Sequence, residues 1–296
     1  MQDARVSSGQ RAFAHRLHGP QKFYAPLNAK IWALLNRSYH PQPLSCSLLG
    51  FAIIFVLLYM RPNISHVIFD VDGLLLDTES VYSAISTEIL EEYGLKLTYD
   101  TKRKIMGRKP LEAASVLVNE LSAPFTAVEW ISMFKTRLSL DKWHLVPPLP
   151  GAEKLVLHLA KHNVPIALAT GCRSDELRHK MRNHQTLWKH VSVAVASGDD
   201  PTIRHGKPEP DIFLAAASRF MDKPENSDAV LVFEDSPLGV EAAVLAGMHV
   251  IWVPAPEEPP SAIPETIHPS AANRVTRLPS LLEFKPENFG LPRMEE

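Results

Sequence analysis

Two aspartates, Asp70 and Asp72, directly follow the apolar residues 67–69 and precede Gly73. An apolar, β-branched run that stops at such a segment predicts a buried strand ending in a loop, which is where open α/β sheets bind ligands. Two carboxylates this close repel each other unless a cation lies between them, and aspartate can accept a phosphoryl group covalently. The pair therefore predicts a magnesium-assisted nucleophile with an acid–base partner. The alternative is two solvated carboxylates in a strand-to-helix turn.

Complementary polar groups follow three later segments of the chain. Thr170 and Gly171 end one apolar run, Lys207 lies in a loop before a helix, and Glu234 and Asp235 end another apolar run. Taken singly, a threonine can cap a helix, a lysine is normally solvated, and an acidic pair can stabilise a helix N-terminus. Together they supply the donors, the cation and the acidic magnesium ligands that phosphoryl transfer requires. Their joint occurrence favours one catalytic site over three unrelated surface features.

The elements that position these groups alternate between apolar strands and amphipathic helices in the second half of the chain. Such alternation predicts an α/β fold with a parallel sheet built from βαβ units. The predicted strands are residues 67–69, 164–171, 191–196, 230–233 and 249–253. We interpret the proline-rich residues 254–269 as a surface excursion and residues 278–289 as a closing segment.

A helical insertion separates the first predicted strand from the second. Apolar residues recur at helical spacing in several stretches between residues 78 and 147, and prolines mark the end of this region. Apolar stripes on helices are normally packing surfaces, so we expect most of them to form a small core. The predicted division is a leader of residues 1–62, a catalytic core of residues 63–77 and 148–296, and an all-helical domain of residues 78–147.

The composition narrows the range of functions. The 296 residues carry a formal net charge of −2, with 45% hydrophobic and 22% charged residues, which is ordinary for a globular protein. A net charge near zero predicts no nucleic-acid partner, and we expect a monomer. Cys46 and Cys172 provide neither metal-site spacing nor a disulfide framework, which fits a reducing compartment.

The first 60 residues differ in character from the rest. They contain six basic residues and one acidic residue, and residues 44–60 are uncharged and strongly apolar, although a membrane helix needs roughly 20 apolar residues. Three interpretations remain open: a targeting sequence with a short anchor, a signal-like segment, or an extension outside the working protein. We expect a cytoplasmic protein, the alternative being a mitochondrial or membrane-anchored one held through residues 1–60. A membrane is a partner only if residues 44–60 are an anchor.

The polar groups at the strand ends resemble the four motifs of phosphatases of the haloacid dehalogenase (HAD) superfamily, and the resemblance extends over residues 63–292. The matching segments are Asp70-Val71-Asp72-Gly73 for the first motif, Thr170 for the second, Lys207 for the third and Glu234-Asp235 for the fourth. The resemblance implies a Rossmann-like parallel sheet core with an inserted all-helical cap. It also implies a phosphoric monoester hydrolase that uses Mg²⁺.

The same resemblance implies a role for each motif residue. Asp70 would be the nucleophile that forms an aspartyl-phosphate, and Asp72 would protonate the leaving oxygen and then activate water. Thr170 and Lys207 would hold the phosphate. The implied magnesium ligands are Asp70, the Asp72 carbonyl, Glu234 and Asp235.

Longer stretches narrow the resemblance to one branch, the pseudouridine-5'-phosphatases and near relatives that act on glycerol phosphate or 2-deoxyglucose 6-phosphate. These stretches are residues 69–79, 106–109, 198–201, 205–208, 233–236 and 289–292. The implied partner is a small phosphorylated metabolite, first of all pseudouridine 5'-phosphate. A sugar phosphomutase of the same superfamily and a non-catalytic, membrane-tethered scaffold are the alternatives. A dehalogenase is disfavoured, because such enzymes need no metal ligands.

The resemblance also indicates which residues contact the substrate at the hinge of the cap, on the cap itself and beside the phosphate. These candidates are Asp77, Glu79, Arg108, Lys109 and Gly171. The bland alternative for Arg108 is a solvated charge at a helix end. Cys172 stands where the resemblance leads us to expect a small hydroxyl residue, which predicts an altered affinity for phosphate.

Overall fold

A six-stranded parallel sheet organises the part of the chain that the structure describes. The structure is a computed structural model, and it describes residues 62–138, 143, 145–261 and 263–295. The strands are β1 (His66–Phe69), β2 (Ile166–Thr170), β3 (Val193–Ala196), β4 (Val230–Glu234), β5 (His249–Trp252) and β6 (Val275–Arg277). Their order is β3-β2-β1-β4-β5-β6, and all neighbours are parallel. The predicted α/β class with a parallel sheet is confirmed.

The strands are apolar because both faces of the sheet are covered. All residues of β1, β2, β4 and β5 are buried. Successive side chains of a strand point to opposite faces, so Val67 and Phe69 join one buried apolar cluster while Ile68 joins another. Phe69 also stacks on Phe233 of β4, with ring centroids 4.7 Å apart. The end of β1 is therefore held firmly where the chain reaches Asp70.

Four helices occupy the chain between β1 and β2, where the sequence predicts the helical insertion. They are α1 (Thr78–Glu91), α2 (Tyr99–Ile105), α3 (Pro110–Glu120) and α4 (Ala127–Arg137). Helix α4 begins with a capping box between Thr126 and Glu129, which satisfies two free backbone amides. The helices also have their own apolar cluster, which includes Leu90, Leu117 and Trp130. We call these four helices the cap; the domain limits of 78 and 147 stay a prediction.

The remaining helices follow β1 and the cap along the chain. They are α5 (Ala152–Lys161), α6 (Ser174–Met181), α7 (Gln185–Trp188), α8 (Asp211–Arg219) and α9 (Pro237–Leu245). Five of the six strands in the described sheet were predicted from the sequence. The sixth, β6, was missed because it has only three residues, Val-Thr-Arg, and all are half-buried. An edge strand of this kind has no apolar run that would reveal it.

The proline-rich residues 254–269 hold the cap as well as covering the surface. Glu258 in this stretch is buried. Its carboxylate accepts hydrogen bonds from the Tyr99 hydroxyl and from Arg103 Nη2, both at 2.8 Å and both on α2. Most described residues of this stretch are exposed or half-buried, as a surface excursion requires, and Glu258 is a buried exception that no periodic pattern in the sequence indicates.

Residues 1–61 of the predicted leader of residues 1–62 lie outside the described residues, and so does the apolar segment 44–60. Among the helices within the described ranges, none is long and apolar enough to cross a membrane. The expectations about targeting, anchoring and a monomeric state stay predictions.

The burial of β1 leads to a prediction about stability. Ile68 is completely buried in one of the two clusters beside the sheet. Ile68→Ala should lower the free energy of unfolding by about 2–5 kcal/mol, through lost burial and the cavity left behind. Chemical denaturation followed by circular dichroism measures the change. Val128→Ala is the control, because Val128 is 68% exposed and its truncation should cost less than about 0.5 kcal/mol; equal losses would contradict the central position of β1.

Candidate active site

The carboxyl ends of β1, β2 and β4 meet because β1 lies between the other two strands. Phe69, the last residue of β1, is in register with β2 on one side and β4 on the other. Asp70 therefore follows β1 at the edge of the sheet where Thr170 ends β2 and Glu234 ends β4. The strand order thus brings together side chains that are far apart in the sequence.

Lys207 joins two of these carboxylates. Its side chain is 1% exposed, and Nζ donates to Asp70 Oδ1 at 2.5 Å and to Glu234 Oε1. Burial alone would lower the pKa of Lys207, but the negative charges of Asp70 and Glu234 raise it above its ordinary value. The residue is therefore an ammonium ion beside the predicted nucleophile, as the sequence predicts for the cation of a phosphoryl-transfer site.

Glu234 is held by the turn that follows β4. Its Oε2 accepts hydrogen bonds from the Ser236 amide at 2.8 Å and from Ser236 Oγ at 3.0 Å. Ser236 Oγ also accepts from the amide of Gly239 at 3.1 Å, which caps α9. A Cβ atom at position 239 would lie 1.8 Å from Glu234 Oε1, so only glycine leaves room for the carboxylate.

Three buried carboxylates converge beside Lys207. One oxygen of each of Asp70, Glu234 and Asp235 lies within 4.8 Å of the others. Burial raises the pKa of Asp70 to about 7, with Lys207 opposing the rise. Burial also raises the pKa of Asp235 well above its ordinary value, and the charges of Glu234 and Asp70 add to this effect. Three carboxyl groups therefore share one ammonium, and ionising all three together is unfavourable without a further cation.

This donor set fits a magnesium ion. Mg²⁺ prefers oxygen ligands and is typically bound by one or two carboxylates together with substrate phosphate. The cluster offers such oxygens from Asp70, Glu234 and Asp235, and a divalent cation among them would favour the ionised form of all three. When bound, the ion would polarise the phosphoryl group and stabilise charge on its oxygens. The individual ligand assignments, including the Asp72 carbonyl, stay predictions.

Asp72 is held by two donors from different elements. Its Oδ2 accepts from Thr170 Oγ1 at 2.8 Å, and its Oδ1 accepts from Lys180 Nζ at 2.6 Å. Burial acts to raise the pKa of Asp72, but Lys180 and the hydrogen bond from Thr170 bring it below its ordinary value. Thr170 Oγ1 also accepts a hydrogen bond from the Cys172 amide at 3.2 Å. The predicted contact of Thr170 with phosphate stays a prediction.

Lys180 is a charged residue near the site that sequence reasoning missed. It lies on α6, has no role among the residues singled out from the sequence, and is completely buried. The signal that could have found it is its position, since Leu177 and Met181 share its buried face of α6. A lysine on the apolar side of a helix requires a buried partner.

A cavity of about 770 Å³ lies between the sheet edge and the cap. Asp70, Asp72 and Asp235 line it from the core, and Trp130 and Phe134 line it from the cap. The cavity thus has the candidate nucleophile on its core side and aromatic side chains on its cap side, which we call its aromatic end.

Four of the five residues predicted to contact the substrate line this cavity. Glu79 and Gly171 line it, as do Arg108 and Lys109. Arg108, which follows α2, donates from Nε to the Lys104 carbonyl in the last turn of α2 over 2.8 Å. Lys109 Nζ donates to the Ile203 carbonyl of the core over 2.9 Å. Asp77 is not among the cavity-lining residues of the described chain, and its carboxylate accepts from Ser80 Oγ at 2.7 Å. Contact of any of these residues with substrate stays a prediction.

The structure pairs Glu79, a predicted substrate contact, with Lys102, which the sequence analysis did not single out. Lys102 Nζ of α2 lies 3.2 Å from Glu79 Oε2 of α1, and both residues line the cavity. Burial raises the pKa of Glu79, and the charge of Lys102 opposes the rise. The pair therefore supplies the cavity with one hydrogen-bond donor, Lys102, and one acceptor, Glu79.

A family model described as haloacid dehalogenase-like hydrolase matches residues 67–253, which is more than half of the chain. The chain therefore belongs to the haloacid dehalogenase-like hydrolase family, and the predicted resemblance is confirmed. The fold and the phosphatase names of its relatives make it a phosphoric monoester hydrolase that acts on small phosphorylated metabolites. Enzymes of the HAD superfamily generally use Mg²⁺, in agreement with the carboxylate cluster.

Similar proteins carry two different substrate names. The "(DL)-glycerol-3-phosphatase 2" of Arabidopsis thaliana is 43% identical over 80% of this chain and 95% of its own length. The "(DL)-glycerol-3-phosphatase 1, mitochondrial" of the same plant is 42% identical, covering 80% and 76% respectively. A protein of Drosophila melanogaster named "Probable pseudouridine-5'-phosphatase" is 40% identical over 78% of this chain and 95% of its own length. Identities this close do not separate the two substrates.

Solved structures share the fold. CbbY from Rhodobacter sphaeroides in complex with phosphate has a TM-score of 0.57 and 20% identity, covering 74% of this chain and 96% of that one. A β-phosphoglucomutase from Clostridium difficile has a TM-score of 0.58 and 19% identity, covering 76% and 94%. The Rossmann-like core and inserted helices predicted from the sequence agree with these neighbours.

The carboxylate cluster predicts that Mg²⁺ stabilises the folded chain. At a hundredfold excess over its dissociation constant, the ion should raise the free energy of unfolding by about 2.7 kcal/mol. Asp235→Asn should remove most of this rise. Without magnesium this variant should be at least as stable as wild type, because it replaces a buried carboxyl group whose pKa is raised by burial and by neighbouring carboxylates, so that its ionised form is unfavourable. Thermal denaturation with magnesium and with EDTA measures both effects.

The control for this measurement is Asp222→Asn, because Asp222 is exposed and lies outside the carboxylate cluster. It should keep the full response to magnesium. A response of wild-type size in Asp235→Asn would contradict the proposed position of the ion.

Proposed function

We propose that the chain hydrolyses pseudouridine 5'-phosphate through an aspartyl-phosphate on Asp70, with Mg²⁺ bound. The observation that carries this proposal is the cavity, which is continuous from Asp70 and Asp72 to the rings of Trp130 and Phe134. A nucleoside monophosphate has a charged end and a planar aromatic end, and aromatic side chains stack on nucleobases. Such a substrate would use both ends of the cavity.

The size of the cavity favours the larger substrate. Sites for small molecules typically measure about 300–1,000 Å³, and this cavity of about 770 Å³ lies within that range. Glycerol phosphate has a three-carbon chain, which would leave most of this space to water and would not reach the aromatic lining. A nucleoside fills more of it and buries more apolar surface, which favours binding.

Glycerol 3-phosphate is the second candidate substrate. Two relatives with this name are 43% and 42% identical to the chain. The Glu79–Lys102 pair offers hydrogen bonds to vicinal hydroxyl groups, which both the ribose of a nucleotide and glycerol possess. This pair therefore fits either substrate, and only the aromatic end of the cavity distinguishes them.

The proposed reaction has two steps. In the first, a carboxylate oxygen of Asp70 attacks phosphorus and the bond between phosphorus and the 5'-oxygen breaks, while Asp72, which must be protonated in the complex with substrate, gives its proton to that oxygen. In the second, water attacks phosphorus, its proton passes to Asp72, and the bond to Asp70 breaks. Inorganic phosphate leaves, and both aspartates return to their starting states.

Lys207 serves both steps without itself reacting. Nζ holds Asp70 Oδ1 at 2.5 Å, which orients the carboxylate and leaves the other oxygen as the candidate nucleophile. A fixed ammonium in a buried site also stabilises the charge that develops on the phosphoryl oxygens. Removal of Lys207 would leave Asp70 and Glu234 without their common partner.

The test is phosphate release by the full-length chain from pseudouridine 5'-phosphate, glycerol 3-phosphate and 2-deoxyglucose 6-phosphate. Each is measured with magnesium and with chelator. The proposal expects the highest kcat/KM for pseudouridine 5'-phosphate and no turnover with chelator. An isomerised sugar phosphate in place of free phosphate would establish a phosphomutase, and a higher kcat/KM for glycerol 3-phosphate would establish the second candidate.

Replacement of the nucleophile separates an enzyme from a scaffold that has kept the fold. Asp70→Asn should lower kcat on the order of 10³-fold or more, because amide oxygen is a poor nucleophile toward phosphorus. The variant should stay folded, since the buried charge that it removes costs solvation energy. Phosphate release and circular dichroism measure the two effects, with the exposed Asp222→Asn as a control. Unchanged turnover in Asp70→Asn would refute the assigned nucleophile.

The aromatic end of the cavity gives a prediction about specificity. Phe134→Leu keeps an apolar side chain but removes the ring, so kcat/KM for pseudouridine 5'-phosphate should fall by about fivefold or more. The value for glycerol 3-phosphate should stay the same. Phe125→Leu is a matched control, because Phe125 belongs to the same apolar cluster of the cap without lining the cavity. Equal losses for both substrates in Phe134→Leu would argue against a stacked base.

A further inference from the structure

Lys180 has more buried contacts than its place on a basic helix predicts. Nζ donates to Asp72 Oδ1 at 2.6 Å and to the Tyr82 hydroxyl at 2.9 Å, and it lies 2.9 Å from Glu176 Oε1. The ring of Trp143 lies 4.7 Å from the same ammonium. Lys180 does not line the cavity, so its charge acts on residues of the site and not on the substrate.

The contacts of Lys180 determine the direction of the Asp72 carboxylate. Thr170 at the end of β2 holds one oxygen and Lys180 on α6 holds the other. A carboxylate held at both oxygens cannot rotate, whereas one that has lost Lys180 would be free to turn about its Cβ–Cγ bond. General acid catalysis requires the donor to lie within hydrogen-bond reach of the leaving oxygen, so this orientation matters for the reaction.

Tyr82 connects this arrangement to the cap. It lies on α1, whereas Lys180 and Glu176 lie on α6 of the core. The Tyr82 hydroxyl donates to Glu176 Oε1 at 2.6 Å and accepts from Lys180. Its ring stacks on Phe134 of the cavity wall, with centroids 5.7 Å apart. A displacement of α1 would therefore remove one of the partners that hold the ammonium in place.

We propose that Lys180 is a positioning residue that directs Asp72 towards the leaving oxygen, and that Tyr82 links this orientation to the seated cap. The inference rests on the proposed phosphatase reaction, in which Asp72 gives a proton to the leaving group. Lys180 thus contributes to the step in which the substrate ester bond breaks. Lys180 therefore affects only those substrates whose leaving oxygen must be protonated as the ester bond breaks.

The competing explanation is that Lys180 merely neutralises buried acids. A residue with only that structural role would affect all substrates alike when it is replaced. A residue that acts through Asp72 affects esters with a poor leaving group, such as a sugar alcohol, and spares p-nitrophenyl phosphate, whose leaving group departs without a proton. The measured quantity is kcat/KM, because it reports the reaction up to phosphoryl transfer to Asp70, before water enters.

The experiment compares wild type, Lys180→Met and Lys189→Met in the full-length chain. Lys189 is the control, because it is an exposed lysine just after α7. The alcohol phosphate used is whichever of pseudouridine 5'-phosphate and glycerol 3-phosphate wild type hydrolyses faster. For this ester, Lys180→Met should lower kcat/KM on the order of 10²-fold, and for p-nitrophenyl phosphate by less than about fivefold. Lys189→Met should match wild type on both.

A double variant tests whether Lys180 acts through Asp72. Asp72→Asn should show the same dependence on the leaving group, and adding Lys180→Met to it should cause little further loss on the alcohol phosphate. Coupling of this kind is expected for residues that act as a unit. Independent, multiplicative losses would overturn the inference.

Tyr82→Phe provides a milder variant if Lys180→Met does not fold, as judged by circular dichroism. It removes one hydroxyl from the network and should reproduce the leaving-group dependence with a smaller loss. Equal losses on both esters, in whichever variant folds, would assign Lys180 a purely structural role. Wild-type protein that releases phosphate from neither ester would refute the proposed function, and the inference would fall with it.

Discussion

Two buried ammonium groups make this site possible, because each meets carboxylates that the fold removes from water. Lys207 lies between Asp70 and Glu234, and Lys180 binds Asp72. A buried charge without a partner costs several kcal/mol, so carboxylates stay ionised inside a protein only where cations meet them. Both contacts join segments that are far apart in the chain. The reactive geometry therefore comes into being only when strands β1 and β4 and helix α6 have assembled.

The sequence predicts those residues of the site that stand next to a recognisable strand or helix pattern. Asp70 and Glu234 each end an apolar strand, and a parallel sheet places such ends at one edge. Lys207 follows in a loop before a helix, so its type and place also indicate its role. The family match confirms the class of enzyme, while the tests of individual roles lie in the variants described above.

Other parts depend on tertiary contacts and leave no local signal. Lys180 looks like one more basic residue until the buried face of α6 is known, and Glu258 lies among prolines that carry no period. Arg108 and Lys109 line the cavity, and each also donates to a backbone carbonyl, so their expected contact with substrate stays a prediction. Side-chain direction is decided by neighbours distant in sequence, and residue type alone does not encode it.

The beginning of α9 sets a rule for how this part of the sequence can change. Glu234 occupies the space in which a side chain at Gly239 would lie, and Ser236 bonds to both residues. The three positions therefore form an interlocking unit, and a single insertion or deletion between them would pull the glycine away from the acid. Over evolutionary time they must be kept or lost together. The spacing of these three residues in the sequence could therefore identify a distantly related site in which the surrounding residues have diverged.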